Sequence, residues 1–178
     1  MLELQALRLL PWSRVTPAGK KPGFSEETGF LNAPGTVRFF HAVEANAALG
    51  FVRVVRGPAW LGCGPHRLDV CETEDAALLL SIEHGWFGFG HWQVLDAERC
   101  RVGAVVGRHL LDEQGGCFAT LWHEGAAASA IRDRHGKTLA RLEPAADGTE
   151  TLRFADDLAT NPFLRMVLLA ACILSPKR

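Results

Sequence analysis

Short apolar runs broken by polar residues recur along most of this chain. Leu68 and Val70 alternate with Arg67, Asp69 and Cys71, and Leu78, Leu80 and Ile82 alternate with Leu79, Ser81 and Glu83. A period of two over so few residues marks half-buried β-strands. The pattern predicts strands over residues 3–10, 37–44, 49–56, 67–72, 77–83, 91–96, 101–108, 117–124, 129–134, 138–143 and 149–154, with one short strand near 28–32. Between them lie turn clusters such as Asn46-Ala, Thr73-Glu-Asp75, Glu113-Gln-Gly-Gly116 and Asp147-Gly148. Gly, Asn and Asp supply the backbone angles that reverse a strand. No interval is long enough for a crossover helix, so the pattern predicts an antiparallel meander.

A faint internal repeat fits that plan. Residues 70–82 can be laid over 94–106, and residues 131–142 follow the same order of strand, acidic turn and strand. Three such hairpins point to a sheet built by repeating one unit.

The last apolar segment is different in kind. Residues 162–174 read Pro-Phe-Leu-Arg-Met-Val-Leu-Leu-Ala-Ala-Cys-Ile-Leu, with Asn161 as a natural N-cap, Pro162 at the first helical position and Ser175-Pro176 as a stop. Arg165 is its one polar residue, and a helix that is apolar all round is buried in protein or in lipid. Thirteen residues rise about 20 Å, short of the ~30 Å hydrocarbon layer. A sheet closed around the helix would bury it and would also remove every exposed strand edge. The expected fold is therefore all-β with one central helix: a closed antiparallel barrel of about twelve strands enclosing the C-terminal helix.

Composition narrows the function. The 178 residues carry a net charge of −1, 48% hydrophobic and 22% charged residues. One domain is expected: residues 1–36 form a strand and a Pro/Gly-rich arm belonging to the barrel, and residues 37–178 the rest of it. The chain is too apolar for disorder, and it lacks the basic field of a nucleic-acid binder. Cys63, Cys71, Cys100, Cys117 and Cys172 are odd in number and widely spaced, which suits reduced thiols and a cytoplasmic protein better than a disulfide framework or a zinc site. Residues 1–10 alternate and carry Glu3, unlike a signal peptide.

Candidate chemistry is sparse. The sequence holds no H-E-x-x-H, G-x-S-x-G or phosphate-binding glycine motif, so no catalytic residue is assigned and no enzyme is expected. Cys117 and His123 fall on one strand and one face, but six residues separate them. The stretch His84-Gly-Trp-Phe-Gly-Phe-Gly-His-Trp92 is the most unusual locally. Its two histidines lack a third ligand, so its aromatics either cover the core or form a lipid-interface loop of Trp86, Phe87 and Phe89. Arg14, Lys20 and Lys21 make a small basic group on the arm that suits solvated surface or weak contact with anionic lipid. Asp156 and Asp157 stand just before the helix, where acidic charge favours its N-terminus; their second reading is a residual metal site.

Residues 23–44, ending Thr36-Val-Arg-Phe-Phe-His-Ala-Val-Glu44, resemble the opening of the phospholipid scramblase domain. Residues 81–96 are similar to that family's aromatic connection, and the terminal helix with an early charge is similar again. The wider group is the tubby-like C-terminal superfamily, which includes the plant LURP-one-related proteins. The resemblance implies a twelve-stranded barrel around a hydrophobic helix, and a scramblase-like, non-catalytic lipid- or membrane-associated module, cytoplasmic or peripheral to a membrane. Its partners would be an anionic phospholipid surface or a protein, and not nucleic acid. The alternative is a soluble scaffold or ligand-binding barrel. Against the family pattern, the chain is expected to be one hairpin shorter within residues 44–66, to keep only Cys63 of an acylated cysteine stretch, and to keep only Asp156 and Asp157 of a calcium segment. Two adjacent carboxylates do not supply the six to eight oxygens calcium takes, so no cofactor is expected.

Overall fold

The structure, a computed structural model, describes residues 5–11, 13–14, 36–43, 47–55, 67–72, 77–84, 90–124, 128–156, 158 and 161–175. In chain order the strands are β1 (Ala6–Leu9), β2 (Ser13–Arg14), β3 (Thr36–Ala42), β4 (Ala48–Val55), β5 (Arg67–Glu72), β6 (Leu78–His84) and β7 (His91–Asp96). They continue with β8 (Arg101–Val106), β9 (His109–Asp112), β10 (Cys117–Glu124), β11 (Ala128–Asp133), β12 (Thr138–Pro144) and β13 (Glu150–Phe154), followed by helix α1 (Pro162–Leu174). From β3 to β13 each strand pairs antiparallel with the next. The first strand joins the two ends: Leu7 lies opposite Leu152 of β13 on one side and Ala42 of β3 on the other. Twelve strands thus form a closed antiparallel ring, with the two-residue β2 continuing beyond β1 along β3.

The ring has the expected twelve strands, and most of residues 44–66, where a hairpin is expected to be absent, lies outside the described residues. The ring also contains a strand that periodicity overlooked. β9 is four residues long and follows β8 after the two-residue turn Gly107-Arg108, too short for an alternation to show. The strand expected near residues 28–32 lies outside the described residues.

The apolar helix sits where its composition requires. Arg165 and every residue from Val167 to Ile173 are buried, in one core with Leu7, Leu9, Phe40, Leu68, Leu80, Ile82, Leu110 and Leu152 from the barrel wall. Burying a side chain of the size of Leu or Ile stabilises by roughly 1.5–3 kcal/mol, so the helix and the wall's inner face hold each other in place. Asn161 caps the helix by accepting a hydrogen bond from the Leu164 amide at 3.1 Å. Arg165 is accommodated locally: its Nε donates to the Leu158 carbonyl at 3.1 Å, and its guanidinium carbon lies 5.2 Å from the centre of the Phe154 ring.

The helix runs closest to β7, β8 and β9. Gly103 in β8 permits this. A Cβ there would stand 2.5 Å from the Leu111 carbonyl oxygen and 2.6 Å from Val167 Cγ2, so no other residue fits without moving wall or helix.

The hairpin repeat is real, and its turns share one end of the barrel. Asp96, Asp112 and Asp133 each open a turn by accepting backbone amides: from Cys100 at 2.7 Å, from Gly116 at 2.7 Å, and from His135 and Lys137 at 2.8 and 2.9 Å. Each turn then passes through a left-handed residue, Arg99 (φ 68°), Gly115 (φ 86°) or Gly136 (φ 84°). The β9–β10 hairpin is a further member of the series.

Candidate functional site

The barrel interior is occupied by α1, so its outer walls are the surfaces open to other molecules. Alternation puts Phe40, Leu68, Val70, Leu80, Ile82 and Leu121 inside and turns Arg53, Asp69, Ser81, Trp122 and Arg141 outward. Two chains of alternating arginines and carboxylates cross this exterior.

The first spans β4 to the β7–β8 turn. Arg53, Asp69 and Ser81 are direct cross-strand partners. Asp69 accepts from Arg53 Nη2 at 3.2 Å, from Ser81 Oγ at 3.2 Å, and from Arg67 Nε. Arg67 also approaches Glu83 at 3.9 Å, and Glu83 pairs with Arg99 at 2.7 Å. This wall is covered at its centre: the Asp69 side chain is only 3% exposed, and Cys71 on its own strand, Ser81 opposite it and Leu95 beyond Ser81 are buried, while Arg53 and Arg99 at the two ends of the chain are half exposed. Burial pushes the Cys71 thiol pKa up, Arg53 opposes the shift, and the Asp69 charge adds to it.

The second chain spans β10 to β13. Glu124 accepts from Arg132 and, at 2.7 Å, from Arg141 Nη2; Arg141 and Arg153 lie 3.9 and 3.8 Å from the Glu143 carboxylate. The hydrogen bond from Arg141 leads the causes that hold the Glu124 carboxyl below its ordinary pKa. This wall is open. Glu124 and Glu143 are 26% and 44% exposed, and Trp122, directly opposite Ala130, is 52% exposed. Ala130 lies opposite Arg141, and Arg141 opposite Arg153, so indole and guanidinium groups form one row across four strands.

Other candidates resolve individually. Trp86, Phe87 and Phe89 lie outside the described residues, as do Asp157, Cys63, Lys20 and Lys21, and of Arg14 only the backbone is described. Asp156 is exposed in the short segment before the helix. Among the described residues no three His, Cys, Asp or Glu side chains come together as a metal site. His84 packs edge-on against Trp92, ring centres 5.0 Å apart. Cys117 and His123 do not share a face. A bulge between Cys117 and Ala119 breaks the alternation, leaving the thiol on the exposed side, 3.9 Å from His109 Nδ1. His123 instead meets Ser129 Oγ at 3.0 Å.

One ion pair lies inside the ring. Arg38 of β3 and Glu150 of β13 meet across the end of β1, where Arg38 Nε also donates to the Leu10 carbonyl at 2.6 Å. Cys172 of the helix is near enough to feel both charges. Its pKa is pushed up to about 12, chiefly by burial, with Glu150 adding and Arg38 opposing.

Trp122 and the two arginine chains were not anticipated from the sequence. Trp122 had a visible signal: with Thr120 and Glu124 it occupies the polar phase of a strand whose other phase is Ala119 and Leu121. The chains had none, because strand register decides which charges meet.

No known protein family matches the sequence, and no curated protein is similar to it. Among solved structures the chain is similar to a protein from Arabidopsis thaliana known by X-ray crystallography. The TM-score is 0.52, covering 94% of this chain and 91% of that one, at 10% sequence identity. Identity that low carries the fold alone. The class is thus a closed twelve-stranded antiparallel barrel built around its own C-terminal helix.

Proposed function

We infer that this chain is a non-catalytic binding barrel of the scramblase-like, tubby-like kind that works at a membrane surface and engages it from outside the ring. One observation carries the reading: the space where a barrel would hold a small ligand is filled by α1, whose residues Val167 to Ile173 are buried against the wall. Binding therefore falls to the exterior, where an exposed tryptophan stands beside arginines, a combination suited to a headgroup layer. None of the described helices is long and apolar enough to cross a bilayer, and releasing α1 to do so would forfeit the burial of most of its side chains. The reading uses no metal and no lipid transport.

The test is co-sedimentation of the full chain with phosphatidylcholine vesicles, with and without phosphatidylserine. Binding to either supports a membrane role; recovery in the supernatant under both conditions overturns it. The second reading, a soluble scaffold, is favoured by Glu124 and Glu143, which place negative charge in the same open wall. A scaffold would ignore vesicles of both compositions.

A further inference from the structure

We propose that β1 is a releasable stave of the ring, latched by the Arg38–Glu150 pair, and that the barrel opens along the seam between β3 and β13 while α1 stays on the opposite wall. This conformational device is independent of any membrane role. From β3 to β13 each strand is paired with one that adjoins it in the chain, but the two partners of β1 are β13 and β3, neither of which is consecutive with it. β1 is also only four residues long, and it gives the core two side chains, Leu7 and Leu9.

Its place in the ring limits what its release disturbs. Counted either way round the twelve strands, β8 stands opposite β1. β8 is the strand on which α1 packs most closely, with β7 and β9 to either side, and Gly103 of β8 is what admits the helix. The helix is thus supported by the wall farthest round the ring from β1. Withdrawing β1 takes Leu7 and Leu9 out of the core and leaves α1 on its nearest neighbours.

The latch lies at one end of the seam. Arg38 of β3 and Glu150 of β13 meet inside the ring, with side chains 2% and 14% exposed, and Arg38 Nε donates to the Leu10 carbonyl, just past β1, at 2.6 Å. The pair therefore ties the two banks of the seam to each other and to the strand between them. At the other end the Gln5 carbonyl accepts from the Phe154 amide at 2.8 Å. A sealed ion pair adds little net stability over apolar packing of the same shape; its best-attested use is to fix a register or a switch. Breaking it leaves a charge uncompensated in the interior, which favours the open seam, where water reaches that charge.

The experiment is native-state hydrogen exchange of the full chain, read amide by amide by NMR. In the wild type, the amides of β1 and those of β3 and β13 that face it are expected to exchange as one group, at least ~10-fold faster than those of β7–β9. Glu150→Gln keeps the shape and removes the charge. It should speed the seam group by a further ~10-fold and β7–β9 much less. Arg8 and Thr151 are direct cross-strand partners on the outer face, so Arg8→Cys with Thr151→Cys, oxidised to a disulfide, should slow the seam group toward the rate of β7–β9. Seam and β7–β9 amides that exchange alike in the wild type overturn the proposal. So does an equal acceleration of both by Glu150→Gln, or a disulfide that forms without slowing the seam. The wild-type rates and the disulfide decide the matter even if Glu150→Gln does not fold.

Discussion

The two arginine–carboxylate chains use the same residues for different ends. In the β4–β7 chain, Asp69 is nearly sealed from water and is tied to Arg53, Arg67 and the buried Ser81 hydroxyl. In the β10–β13 chain, Glu124 and Glu143 face solvent. Burial decides what such a pairing is worth. Removing a sealed carboxylate strands donors that cannot reach water, whereas exposed partners re-solvate and lose little. Similar chemistry thus gives a structural clamp on one wall and an adaptable charged surface on the other.

That contrast can be broken most directly at Asp69. Asp69→Ala orphans the Ser81 hydroxyl and loosens two arginines, and should lower unfolding stability by roughly 2–4 kcal/mol in urea titration. Glu124→Ala should shift the midpoint far less; equal losses would refute the distinction. Next in size is Ser81→Ala, expected to cost about 1 kcal/mol because Asp69 keeps its arginines and loses one neutral donor.

Acid sharpens the comparison. Arg141 and Arg132 hold Glu124 below its ordinary pKa of 4.5. A carboxylate with a depressed folded pKa adds stability that is complete above its unfolded value and is lost as pH falls through the folded one. The urea midpoint should therefore decline somewhat less steeply below about pH 4.5 in Glu124→Gln than in wild type. An identical acid limb in both proteins would refute the link.

The smallest effect is expected at Arg99, which ends the first chain while holding the left-handed turn position that glycine fills at Gly115 and Gly136. Arg99→Gly relieves about 1 kcal/mol of backbone strain and forfeits an exposed ion pair with Glu83. The net should be a rise of less than about 1 kcal/mol, read as a small increase in Tm. A fall of that size would show that the exposed end of the chain contributes more than its solvation suggests.

What the sequence displayed followed from periodicity and distance. The strands alternate because one face is wet, and α1 declares itself by having a single polar residue, Arg165. Its enclosure followed from length and apolarity, and the buried run from Val167 to Ile173 bears that out. Strand β9 was hidden because four residues make barely one alternation. The ring closure was equally hidden, since nothing in Ala6–Leu9 names Glu150–Phe154 and Thr36–Ala42 as its two neighbours. The bulge after Cys117 undid the shared face with His123, because a bulge shifts the phase of every side chain before it. The open wall was half legible: Trp122 in the polar phase was visible, and its alignment with Arg141 and Arg153 was not.

The closure has a consequence in time. β1 is made before the other strands of the ring, yet one of its two partners, β13, is made after all of them, and α1 follows later still. During synthesis the growing sheet therefore has two unpaired edges and an apolar inner face with nothing against it. Such edges and faces invite association with other chains. The order of synthesis makes the arrival of β13 and α1 the committing event in folding, and it makes the incomplete sheet, more than the finished barrel, the form prone to association.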